Sequence, residues 1–117
     1  MRTTWLQGMG LLTGLVGLAQ LGACASTSEP TDRLVSAESA IRAANEVGVS
    51  SNPNGQLHAK LAQEELAQAK RLIRDGENER AERLLWRATA DAELAIAVTR
   101  EDQSKRAAMA AEGTVTE

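Results

Sequence analysis

From residue 32 onward, small and apolar residues recur at intervals of three and four, the period of a helix with one buried face. The first run carries Leu34, Ala37, Ile41 and Ala44; Thr31 or Asp32 is placed to cap it, and Gly48 offers a left-handed stop. This predicts a helix over 32–47. Residues 49–56 (VSSNPNGQ) read as turn throughout, because Ser and Asn side chains bond the local backbone while Pro53 and Gly55 break helix. A second stripe follows at Ala59, Ala62, Leu66, Ala69 and Ile73, widened by Leu61 and Leu72. It predicts a helix over 57–75, stopped at Asp75-Gly76. Asn78 can cap a third helix over 79–111, whose stripe is Ala81, Leu85, Ala88, Ala92, Ala95 and Thr99, flanked by Leu84, Ile96 and Val98.

A very short turn between two long amphipathic helices predicts an antiparallel hairpin. The fold class is therefore all-α: a small three-helix domain over 32–112, a short first helix plus a long helical hairpin, with 113–117 as a disordered tail. The third helix outruns the second, so its end beyond Thr99 should overhang, supported by Glu101–Lys105 and Asp102–Arg106 pairs along its surface. Alanine dominates the inward stripes. Small side chains let helices approach closely but bury little area each, so the core is thin, and a partner or a second copy covering one face, as a homo-oligomer, would supplement it.

The opening of the chain has a different character. Residues 1–5 carry one Arg and no acid; residues 6–21 are uncharged and mostly apolar, yet at about 1.5 Å per residue too short for a roughly 30 Å bilayer core. A basic start, a short apolar run and small residues before a cut describe a signal peptide over 1–23. Leu21-Gly22-Ala23-Cys24 resembles the bacterial lipobox. That resemblance implies recognition by signal peptidase II through Leu21, Gly22 and Ala23, a diacylglycerol thioether on Cys24, and N-acylation of the new terminus. Residues 24–31 are then an acylated Cys and a flexible tether. Several acyl chains hold far more firmly than one. Ala25 and Ser26, rather than Asp, follow the Cys, which by resemblance to proteobacterial lipoproteins implies the outer membrane, at its periplasmic face; the anchor is also compatible with display at the cell surface.

Composition narrows the chemistry. The 117 residues hold Trp5 and Trp86 but no Phe or Tyr, one His and one Cys, which excludes a zinc cluster, a disulfide framework and a haem-attachment site. A net charge of −3 and so few aromatics argue against a nucleic-acid partner. No cofactor is expected beyond the covalent lipid.

The features Ala40-Ile41 with Ala44 and Gly48, Leu66-Ala67-Gln68-Ala69-Lys70 with Leu72, Gly76 and Ala81, and Leu84-Leu85, Ala88 and Asp91-Ala92-Glu93-Leu94-Ala95 carry a family likeness. Over residues 37–97 the chain resembles the bacterial envelope domain-of-unknown-function family 4398. It departs at Pro53-Asn54-Gly55-Gln56, where members have an aromatic–Ala–Pro–acid start to the second helix. Membership implies a short helical envelope lipoprotein, in some members joined to a peptidoglycan-binding domain. The second and third helices are also similar to a single tetratricopeptide hairpin, with small residues at Ala62, Ala69, Ala81 and Ala88, though solenoids need about three repeats.

Few side chains suggest chemistry. His58 reads as an exposed residue at a helix start, with no nucleophile placed to join it. Adjacent Glu64 and Glu65 point about 100° apart and read as solvated. Asp91, close to the apolar stripe, either reaches an Arg or a helix end on a neighbouring element or sits at the wet rim. Arg80, Arg83 and Arg87 make an i, i+3, i+7 row able to grip lipid phosphates or peptidoglycan carboxylates, or else form a solvated face in which Glu79 pairs with Arg83. Trp86 either caps the core edge or anchors an interface.

These readings lead to a non-enzymatic interaction or structural module of the cell envelope, with an envelope protein or peptidoglycan as partner. The alternative is a peptidoglycan-binding or envelope-maintenance accessory factor for an enzyme complex. A cell-wall hydrolase lacks any nucleophile–base set, and a ligand carrier lacks room between alanine seams.

Overall fold

The computed structural model describes residues 28–115; the predicted leader, Leu21, Gly22, Ala23 and Cys24 lie outside the described residues. The order is α1 (Thr31–Val47), a 3-10 turn (Val49–Ser51), α2 (Pro53–Arg74) and α3 (Asn78–Val115). The fold is the expected all-α one: three helices, of which α2 and α3 form a long antiparallel hairpin.

The first helix starts within a residue of its predicted position. Thr31 is already helical, Pro30 occupies the cap position, and its carbonyl accepts the Leu34 N–H at 3.0 Å with no side-chain cap. Gly48 ends α1 in the left-handed region at φ 79°, as expected of a residue without Cβ.

The second helix starts four residues earlier than the turn reading of 49–56 allows. Asn52 is extended and its Oδ1 accepts the Gly55 N–H at 2.8 Å, which makes it the N-cap. Pro53 takes the first helical position, where its missing N–H has no partner to lose and its fixed φ suits the helix. The same residues that break a helix interior thus begin one. At the other end, Gly76 (φ 75°) donates to the Ile73 carbonyl at 3.0 Å and Glu77 to the Leu72 carbonyl at 2.8 Å, a Schellman closure.

The third helix passes through Gly113, so the tail predicted from 113 is helical as far as Val115. A run of strong helix formers, Ala107, Ala108, Ala110 and Ala111, precedes the glycine and offsets its cost of about 1 kcal/mol. At about 1.5 Å per residue, the 38 residues of α3 far outreach the 22 of α2. Residues 103–114 are all exposed, and the Gln103 side chain reaches back to the Val47 carbonyl at 3.1 Å, capping the end of α1.

The core lies in three layers. Nearest the hairpin turn, Ala37 packs with Ala69, Leu72, Ala81, Leu85 and Ala88, joined by Leu34, Leu66, Ile73 and Leu84. Ile41, Ala62 and Ala92 form the middle layer, and Ala44, Val49, Ala59 and Ala95 the far one. Numbers rise together along α1 and α3 and fall along α2, so the chain runs up, down and up. Every residue of the predicted α3 stripe, from Ala81 to Thr99, is fully buried. Leu61, assigned to the α2 stripe, is exposed.

Alanine sets the helix separation. Where α2 begins, it passes α3 closely: a Cβ on Gly55 would stand 2.3 Å from Thr99 Oγ1 and 3.3 Å from the Ala95 carbonyl oxygen. Glycine is required there by space, since its backbone is ordinary helix.

Candidate functional site

The antiparallel register of α2 and α3 brings together four polar side chains that lie up to 33 residues apart. His58 Nδ1 donates to Asp91 Oδ1 at 2.9 Å, and both side chains are three-quarters buried. Two turns along α2, Glu65 is only 8% exposed and its Oε1 meets Arg87 Nη2 at 2.7 Å, while its Oε2 is buried and accepts no hydrogen bond. Burial pushes the Glu65 carboxyl above its ordinary value of 4.5; the Arg87 guanidinium pulls it down, and the neighbouring Asp91 carboxylate pushes it further up.

Three expectations, for His58, Glu65 and Asp91, change as a result. His58 is not an exposed helix-start residue: with α2 beginning at Pro53 it lies in the second turn and has a carboxylate partner on α3. Glu65 is not solvated, whereas Glu64 is, paired along the surface with Lys60 at 3.8 Å. Asp91 reaches neither an Arg nor a helix end; its partner is His58. The signal for this cluster is present as spacing, i to i+7 from His58 to Glu65 and i to i+4 from Arg87 to Asp91. Only the register shows that the two pairs face each other.

The arginine row does not converge on one receptor. Arg80 is bound to Glu77, Arg83 to Glu79 at 2.5 Å, and Arg87 leaves the row to meet Glu65 on α2. Arg80 and Arg83 lie exposed with their acids at or just before the start of α3, the Glu79–Arg83 pair being the expected one, and Arg87 crosses the hairpin seam. Trp86 is 51% exposed and stacks under the Arg33 guanidinium, 3.7 Å from the ring centroid, with Arg33 Nε also 3.9 Å from Glu82. It joins α1 to α3 at the edge of the layer nearest the turn.

Among the described residues no group of three His, Cys, Asp or Glu side chains is placed to hold a metal ion. No helix among them is long and apolar enough to cross a membrane.

The described residues define a three-helix, all-α domain whose hairpin is closed by alanine. Residues 32–111 match a family described as a domain of unknown function (DUF4398), and with about two thirds of its length matched the chain belongs to that family. No curated protein and no solved structure matches it.

Proposed function

We propose that this chain is a lipoprotein of the bacterial outer membrane, anchored at the periplasmic face through an acylated Cys24, and that its helical domain serves as a non-enzymatic interaction or structural module of the cell envelope. The observation that carries the reading is Leu21-Gly22-Ala23-Cys24 at the end of the uncharged run 6–21. The tether would be short. Cys24 precedes Thr31 by seven residues, which span at most about 25 Å when extended. The start of α1 lies beside the α2–α3 turn, so the anchor would hold that turn toward the membrane and send the overhanging part of α3 away from it. The partner on this reading is an envelope protein or peptidoglycan.

The test is acylation. Cys24→Ser should abolish incorporation of a palmitate analogue, leave the precursor uncut or the product soluble, and leave the helical circular dichroism spectrum unchanged. Release of the wild-type protein from membranes without detergent would refute the anchor. Crosslinking in intact envelopes then identifies what the domain touches.

A further inference from the structure

The cluster between α2 and α3 is unused by the anchoring role. Glu65 carries a buried oxygen that accepts no hydrogen bond, and the acid that acts on this carboxyl from α3 is Asp91. Two ionised carboxylates in that position would repel and leave Oε2 unsatisfied, at a cost that burial increases. One proton resolves both difficulties, because a protonated Glu65 donates to Asp91. His58 Nδ1–H already holds Asp91 from its other side, and Arg87 holds Glu65 Oε1.

We propose that Glu65, Asp91, His58 and Arg87 form a proton-holding latch across the hairpin, in which Glu65 and Asp91 share one proton and its loss as pH rises loosens α2 from α3. The charges that act on Glu65 are Arg87 and Asp91, both from α3; His58, from its own helix, reaches it through Asp91. The charged contacts of α1 lie elsewhere, Arg33 with Glu82 and Glu38 with Lys70.

The sign follows from linkage. A carboxyl raised above its unfolded value binds its proton more tightly in the folded state. Its contribution to stability is therefore whole below the unfolded value of 4.5 and is lost as pH rises through the folded one. This is opposite to the usual behaviour of an ion-paired carboxylate. The latch also differs from a structural ion pair in a way that can be read directly, since its carboxyl keeps its proton to higher pH than an exposed glutamate does.

The experiment uses the full chain purified in detergent. Infrared difference spectra across a pH titration should show a protonated-carboxyl C=O band that disappears on alkalinisation and is absent from Glu65→Gln, whose amide donates to Asp91 at every pH. The wild-type melting temperature should fall over the range in which the band disappears, and the fall should be smaller in Glu65→Gln. In Asp91→Asn, Glu65 loses the charge that favours its proton and gains an amide donor for its ionised form, so its side-chain carbon should titrate at lower pH than in the wild type. A Glu65→Gln protein with the full wild-type pH slope, or an Asp91→Asn protein in which Glu65 titrates unchanged, would overturn the latch.

Discussion

Gly55→Ala isolates one close contact between α2 and α3. The position is helical and not left-handed, so in open solvent alanine there would stabilise by about 0.5–1 kcal/mol through propensity alone. Here the new methyl lands 2.3 Å from Thr99 Oγ1, and Thr99 is fully buried, with its hydroxyl held on the Ala95 carbonyl at 2.8 Å. Overpacking of this kind costs about 1–3 kcal/mol. The clash outweighs the propensity gain, giving a net loss of up to about 2 kcal/mol, which for a domain of this size lowers the melting temperature by about 4–8 °C per kcal/mol. Thr99→Ala removes the obstructing oxygen. Alone it is destabilising, by about 1 kcal/mol for the hydrogen bond together with the lost methyl packing. In that background, however, Gly55→Ala should become neutral or stabilising, because the next nearest atoms, the Ala95 and Val49 carbonyl oxygens at 3.3 and 3.4 Å, need only small shifts. Thermal melts of the four proteins in a double-mutant cycle should therefore show a favourable coupling of about 1–3 kcal/mol. Additive effects, with Gly55→Ala equally harmful whether Thr99 is intact or replaced by alanine, would refute the assignment of Gly55 to that contact.

The alanine seam makes a cruder version of the same statement. Ala88→Leu, at a position with no exposure in the layer nearest the turn, should cost about 1–3 kcal/mol, while Arg83→Ala, which breaks only an exposed pair with Glu79, should cost about 0–1 kcal/mol. Melting curves in which Arg83→Ala is the more harmful would mean that the faces of α3 are reversed. Asn52→Ala should cost about 0.5–2 kcal/mol, toward the upper end because the Gly55 N–H it leaves is buried, and amide hydrogen exchange at Gly55 should accelerate. Unchanged exchange there would show that Asn52 is not the cap.

Much of the fold is legible in single residues and their spacing. The stripes at Ala37, Ile41 and Ala44, at Ala62 and Ala69, and from Ala81 to Thr99 are the buried faces, because a 3.6-residue period can bury only one side of a helix. Gly48 and Gly76 stop helices where the pattern predicts, since only a residue without Cβ enters the left-handed region freely. Asn52-Pro53 misleads for a local reason: the same pair breaks a helix from within and starts one from its end, and the residues themselves do not say which. The candidate site is harder to see. His58, Glu65, Arg87 and Asp91 each have a bland account as surface residues, and their partnership depends on how far α2 is slid along α3. That register is set by the fit of alanines against one another and by the close passage of Gly55 past Thr99, neither of which is a property of either helix alone. The stripes determine which faces meet; only packing decides which residues end up opposite, and so whether a carboxyl lies in water or shares a buried proton.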